Sequence, residues 1–424
     1  MPFEPGNPGN TDRPPFLRPQ LKRRDVLRGG AVVAAGLGAA PLLAACSDDD
    51  GGTTASSEYP LARPDEPVEL PIFDDVQPIA DGLEPEDVDV LKVLNYADYM
   101  APGVKNDFAE KYGLREVQVT PYNNYDEMLN KLSSAGAEYD VVFPGPSVLS
   151  RMVYGKLLQP FNQTYLPNIK NLWPEYQDPW YDLGSQYTIP YTVYTTGIGY
   201  RADEVSDPSE GYKMLWNPDY SGKIGVLDDS GEALSMAMLA WGITDDINTT
   251  NQADVTAAKE KLMELIPLGV KIDITQYETV ANGRFTAHQA WSGDMIAARW
   301  YLTGGDTPEV LGYWVPDDAA DRVIGSDNIA IPASSPSPVL AHLFLNYMID
   351  NAVSEKNFNW NGYQPPLNKL DADYLIKQGY IKDNLMSAVV VPDDFDQGKQ
   401  YYEQSIAVQN MWLQAFQEFK SGGS

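Results

Sequence analysis

From residue 91 onward, short apolar runs alternate with stretches in which apolar residues recur every three or four positions. Residues 91–95, 116–120 and 139–143 read as strands, the last with the nearly continuous apolar character of a strand buried on both faces, and 104–112 and 125–135 carry helical spacing between them. This alternation predicts βαβ units with parallel strands. A second set follows, with a helix at 208–215, a strand at 224–227 running into a helix, and a helix at 254–265. Strands at 270–274 and 287–291, a helix from there to 301 and a strand at 311–315 complete it. Residues 188–199 (TIPYTVYTTGIG) and 327–332 (DNIAIP) read as extended crossings, and helices at 339–349 and 399–420 close the chain. Residues 161–187 are aromatic and proline-rich and predict irregular chain. Two α/β groups joined by more than one crossing predict two lobes hinged over a central cleft, lobe one at 90–192 with 328–362 and lobe two at 193–327 with 363–424.

The start of the chain has a different pattern. Lys22-Arg23-Arg24-Asp25-Val26-Leu27-Arg28 precedes a short run rich in Gly and Ala, which ends in Leu43-Ala44-Ala45-Cys46. A basic segment, a short apolar run and small residues before a lone cysteine predict an export signal over 1–45, of twin-arginine type, with a lipid carried on Cys46 after cleavage. A membrane-spanning helix is the alternative, but the run is barely long enough and contains Pro41. Residues 46–89, rich in Asp, Glu, Pro, Gly, Ser and Thr, read as a flexible acidic tether, with ordering near Leu70-Pro71-Ile72-Phe73 left open. The expectation is an exported protein held on the outer face of the cytoplasmic membrane.

Composition narrows the chemistry. The chain has 424 residues, 60 acidic against 30 basic, a formal charge of −30, one cysteine and two histidines. That length suggests two lobes, and 9 Trp, 26 Tyr and 12 Phe argue against disorder. The acidic balance repels nucleic acid and concentrates cations. One cysteine and two histidines leave no disulfide framework and no cysteine- or histidine-rich metal site, and no phosphate-binding, dinucleotide or hydrolase motif is present. No cofactor and no metal is expected.

Acids and aromatic rings coincide at predicted strand ends. Asn95-Tyr96-Ala97-Asp98-Tyr99 follows the first strand, Leu227-Asp228-Asp229-Ser230-Gly231-Glu232 another and Trp291-Ser292-Gly293-Asp294 a third, while Gly325-Ser326-Asp327-Asn328 sits at a crossing. Flat rings with carboxylates at intervals suit an alkyl diamine, whose ammonium groups take charge-assisted hydrogen bonds while its methylenes lie between ring faces. Each segment also has a structural explanation. Asp229 and Glu232 could form a capping box, the rings could be core and the aspartates turn formers.

The order of these blocks resembles the spermidine/putrescine-binding proteins of ABC importers from about Leu91 to the C-terminus. The matching blocks are Leu94-Asn95-Tyr96 with Tyr99, Tyr139-Asp140-Val141-Val142 with Pro144, Ile189-Pro190-Tyr191 with Gly197-Ile198-Gly199, and Trp216 with Pro218 and Tyr220. Leu227-Asp228-Asp229 with Glu232, Trp291 with Gly293, Asp327 with Ala330-Ile331-Pro332, and Gly362-Tyr363 with Pro365 continue the series. The resemblance implies a type II periplasmic binding fold, a polyamine ligand, a permease and its ATPase as partners, a monomer, and no catalysis. It also implies that Asp229 and Glu232 hold one amino group and Asp327 another, that Tyr99, Trp291 and Tyr363 wall the slot, and that Tyr96, Asp98 and Ser147 belong to it. The chain departs from the pattern at Gly145 and Ser147, where serine and tyrosine are usual, and at Gly325, where tryptophan is usual. Tyr194 and Trp314 are the residues expected to replace the missing walls. The alternatives are the same fold for a sugar, a peptide or ferric iron, the last suggested by Tyr401-Tyr402, and a secreted glycoside hydrolase using paired acids such as Asp98 and Glu232.

Overall fold

The apolar runs become strands of one ten-stranded mixed sheet in the computed structural model, which describes residues 59–422. The strands are β1 (Val90–Asn95), β2 (Glu116–Pro121), β3 (Val141–Val142), β4 (Thr188–Arg201), β5 (Ile224–Leu227), β6 (Lys271–Asp273), β7 (Ala287–Trp291), β8 (Leu311–Trp314), β9 (Val323–Ala330) and β10 (Lys399–Gln400). Their order is β2-β1-β3-β9-β4-β7-β5-β6, with β10 added beside β9 and β8 beside β4. β1 is parallel to β2 and β3, and β5 is parallel to β6 and β7, as expected for βαβ units. The crossings β4 and β9 join these two parallel groups by running antiparallel to each other and to their outer neighbours. Burial follows the grouping. Leu91, Val93, Val141, Val142, Phe344 and Leu345 lie in one apolar core, and Ile224, Val226, Leu234, Leu262, Trp412 and Phe419 in a second.

Helices lie where apolar spacing and caps coincide. Asn124 caps Tyr125–Leu132, Asp229 caps Ser230–Trp241 and Asp350 caps Asn351–Asn361, each side chain accepting a first-turn amide. The closing helix is shorter than the 399–420 expected: it runs Ile406–Gly422, because Lys399 and Gln400 pair in register with Val323 and Ile324 of β9. Helical spacing in the sequence could not register that sheet partner, and the residues between, 401–405, are extended and reach the site described below.

The acidic stretch expected as a flexible tether lies against the body over its described part. Ala62 and Leu70 are buried in the first core, Tyr187 donates to the Pro71 carbonyl, and Tyr59 stacks on Tyr154 with ring centroids 5.0 Å apart. Glu86 accepts the amides of Val339 and Leu340 at the start of a helix. A few apolar residues in an otherwise polar stretch are enough to dock it. The export signal and Cys46 lie outside the described residues, and among the described residues no helix is long and apolar enough to cross a membrane.

Candidate functional site: a ring-lined acidic cavity

Parallel strands end on one side of the sheet, and their carboxyl ends are where open α/β sheets hold ligands. Here the residues that follow β1, β2, β3 and β5, with Trp291 at the end of β7, converge on one cavity of about 430 Å³. Tyr96, Tyr125, Asp126, Ser147, Asp229, Glu232 and Trp291 line it from those ends, Tyr194 and Gly325 from the crossing strands, and Tyr401 from the extended 401–405 segment.

At the strand-to-helix corner after β5 the two carboxylates have separate tasks. Asp229 Oδ1 accepts the Glu232 amide at 3.0 Å, so the helix-capping explanation holds for this side chain. Glu232 does not complete a capping box. Its carboxylate accepts from Trp291 Nε1 at 2.9 Å, Thr196 Oγ1 at 3.1 Å and the Tyr401 hydroxyl at 3.2 Å. Burial, reinforced by the charge of Asp229, pushes Glu232 up to about 7 against those three donors. Burial also raises Asp229, with the charges of Asp228 and Asp126 acting in the same direction. Asp228 is tied to Lys420 and is partly exposed.

Asp327 lies one layer behind the cavity wall, within β9. Its oxygens accept from Tyr99 at 2.7 Å and from Tyr125 at 3.0 Å, and burial pushes its carboxyl up to about 6. The rings form a continuous cluster between the acids: Tyr96 packs edge-on to Tyr99 and Tyr125, Tyr99 to Tyr363, and Tyr194 to Tyr363 and Trp291. Tyr194 feels the charge of all three acids. Burial raises its phenol, and the charges of Asp327, Glu232 and Asp229 all raise it further.

The departures from the expected ring pattern have a steric explanation. A Cβ on Gly325 would lie 2.3 Å from the Tyr194 ring, and one on Gly145 would lie 2.2 Å from the Tyr125 hydroxyl. The Tyr194 ring therefore occupies the space that a side chain at Gly325 would take, and Tyr125 the space that one at Gly145 would take. Trp314 does not replace a wall: it packs edge-on to Tyr212 and over Gly211 in the second core.

The structure thus brings Tyr96, Ser147, Asp229, Glu232 and Trp291 to one cavity, with Tyr99, Asp327 and Tyr363 packed directly behind its rings. Asp98 is not among them. Its backbone turns left-handed (φ 55°), its side chain is exposed, and its carbonyl accepts from Trp360. Asp98 and Glu232 therefore do not share this cavity as a pair of acids flanking a glycosidic bond would. Tyr125, Thr196 and Tyr401 complete the site; none was expected to hold an amine, and Tyr401 was singled out only for the ferric-iron alternative. Tyr125 opens the helix that follows β2, four residues past the strand end, so it lies at a strand-to-helix corner like the one that carries Asp229. Tyr401 carries no such signal, since its position depends on the pairing of β10. Its hydroxyl contacts Glu232 and Ser235. His288 and His342 are both fully buried and bonded to backbone carbonyls.

Residues 104–385, more than half of the chain, match the family of bacterial extracellular solute-binding proteins. The spermidine/putrescine-binding periplasmic protein 1 of Haemophilus influenzae is 25% identical over 327 residues, covering 74% of this chain and 87% of the relative. A putrescine-binding periplasmic protein of Pseudomonas aeruginosa is 28% identical over 292 residues, covering 64% and 76%. Among solved structures, a spermidine/putrescine ABC transporter substrate-binding protein of Streptococcus pneumoniae superposes with a TM-score of 0.63 at 22% identity, covering 79% of this chain and 100% of that one. The two-lobed binding-protein fold is therefore shared across that distance, and the chain belongs to the bacterial extracellular solute-binding proteins.

Proposed function

We propose that this protein captures a polyamine of the putrescine or spermidine class between its two lobes and presents it to a membrane permease driven by a cytoplasmic ATPase. One observation carries the reading: Asp229, Glu232 and Trp291 meet Tyr194 in one ring-walled cavity, and the charge of Asp327 in the layer behind reaches the same ring. An ammonium group beside Asp229 and Glu232 would gain charge-assisted hydrogen bonds, the methylenes would lie along Tyr194 and Trp291, and a second ammonium group would rest on the ring faces in front of Asp327, whose charge lies behind them. The names of the Haemophilus, Pseudomonas and Streptococcus proteins support the same ligand class.

In this reading Tyr96, Ser147, Asp229, Glu232 and Trp291 touch the ligand directly, and Tyr99, Asp327 and Tyr363 hold it from the layer behind. The lobes divide near 90–192 with 328–362 and 193–327 with 363–424, so that the crossings β4 and β9 act as hinges. Burial keeps the acids partly protonated while the site is empty, and a cation draws them into the ionised form as the lobes close. The protein is a monomer, carries lipid on Cys46 and performs no catalysis. A thermal-shift screen with putrescine, spermidine, sugars and ferric iron tests the reading. Stabilisation by the amines alone is expected, and a response to a sugar or to iron without a response to amines would replace it.

A further inference from the structure

The extended 401–405 segment, which carries Tyr401 to Glu232, is held from two sides. On one side is Asn248. Its Oδ1 accepts the Tyr402 amide at 3.2 Å, its carbonyl accepts Gln404 Nε2 at 2.6 Å, and its Nδ2 donates to the Gln400 carbonyl at 2.8 Å. On the other side is the docked start of the acidic stretch, residues 59–63. Tyr401, Tyr402 and Gln404 line the cavity, whereas Glu403 is buried beside it, only 2% exposed. The Glu403 carboxylate accepts the Arg151 backbone amide at 3.2 Å and the Tyr59 hydroxyl at 3.0 Å, and the charge of Arg151 favours its ionised form. Tyr59 is itself fixed by stacking on Tyr154, with ring centroids 5.0 Å apart and planes 12° from parallel, and the Arg63 guanidinium lies 5.4 Å from the centre of the Tyr402 ring. A buried carboxylate that loses a donor is costly to keep out of water. Glu403 and Tyr401 are separated by at most about 7 Å of chain, so a shift that lets Glu403 reach water also moves Tyr401 away from Glu232.

We propose that Tyr59 is a positioning residue of the ligand site: by holding Glu403 it keeps the Tyr401 hydroxyl on Glu232, so that the segment leading back toward Cys46 sets part of the affinity for an amine. The inference rests on the reading that Glu232 holds an ammonium group. Tyr401 is one of three donors that offset the burial of the Glu232 carboxylate, and without it the neutral acid, a poorer partner for a cation, is favoured. The coupling is reciprocal: an amine that ionises Glu232 strengthens its contact with Tyr401 and thereby holds 59–63 more firmly.

Titration calorimetry of putrescine and spermidine into wild type, Tyr59→Phe, Tyr401→Phe and the double variant tests this, at a temperature where all four are folded. Tyr59→Phe keeps the ring on Tyr154 and removes only the hydroxyl. Each single variant is expected to weaken the tighter-binding amine by about three- to tenfold, and the double variant should be no weaker than Tyr401→Phe alone, because the effect of Tyr59 passes through Tyr401. A residue that only stabilises the fold would lower the melting temperature and leave affinity unchanged. Hydrogen exchange over residues 59–66 of wild type needs no variant and decides the question if Tyr59→Phe does not fold: saturating amine should slow it by roughly threefold or more. Unchanged affinity in either single variant, losses that multiply in the double variant, or exchange at 59–66 indifferent to amine would overturn the inference, and the polyamine reading would still stand on the binding by wild type. No binding of either amine by wild type would instead remove the polyamine reading, and the inference with it.

Discussion

The indole nitrogen of Trp291 donates to Glu232 Oε1 at 2.9 Å, so a wall of the site and one of its acids form a single unit. Trp291→Phe keeps an aromatic ring but leaves that oxygen without its donor. A hydrogen bond to a charged group contributes about 1.5 to 3 kcal/mol, so amine affinity should fall at least tenfold. Because a lost donor raises the pKa of Glu232, the loss should be larger at pH 6 than at pH 8, which titration calorimetry at the two values would show. An equal loss at both would mean that ring shape alone matters.

Asp229 combines two roles that different substitutions separate. Asparagine caps helices about as well as aspartate, and alanine in place of such a cap costs about 1 kcal/mol. Asp229→Asn should therefore leave the melting temperature nearly unchanged while weakening polyamine binding at least tenfold, and Asp229→Ala should lower both. If Asp229→Asn loses stability but not affinity, the residue is only a cap.

The buried acids make stability depend on pH in an unusual direction. Their folded pKa values are raised, Glu232 from 4.5 to about 7 and Asp327 from 3.8 to about 6, so between those limits the folded state binds more protons than the unfolded state. Their contribution to stability is therefore full at low pH and is lost as pH rises through the folded values. Relative to wild type, the unliganded Glu232→Gln variant should gain stability between pH 5 and pH 8, by up to about 3 kcal/mol, as followed by urea melts. Amine binding favours the ionised forms, so wild-type affinity should increase over the same interval with release of protons. A pH-independent affinity would contradict the assignment of these acids.

Gly325 and Tyr194 should behave as a pair. Gly325→Ala places a Cβ against the Tyr194 ring and should cost about 1 to 3 kcal/mol by overpacking. Tyr194→Ala made together with Gly325→Trp should recover part of the stability and of the ring wall, whereas Gly325→Trp alone should not. Thermal melts of the single and double variants measure the coupling. Additive effects would mean that the two positions are independent.

Much of this was legible in the sequence. β5 (Ile224–Leu227) and β7 (Ala287–Trp291) lie where the apolar runs placed them, because each is bounded by polar or glycine-containing turns and buried on both faces. The carboxylates and rings at strand ends were visible as a recurring local pattern. Residues fixed by long-range pairing were not. Tyr401 reaches Glu232 only because Lys399 and Gln400 pair with β9, and the stretch before Tyr401 reads equally well as helix. Asp98 has the right residue type one position before Tyr99, but a left-handed turn directs its backbone away from the site, a conformation that side-chain type does not reveal. The docking of 59–89 depends on single apolar residues such as Leu70, which composition averages away.

The central claim is that the buried acids Glu232 and Asp327, both felt by Tyr194, hold an alkyl cation together. Titration calorimetry of putrescine and spermidine into wild type, Asp327→Asn, Glu232→Gln and the double variant tests it most directly. The account predicts binding by wild type, a loss of at least tenfold in each single variant, and no measurable binding in the double variant with all four proteins folded. Affinity unchanged by both substitutions, or no heat of binding for either amine in wild type, would contradict it.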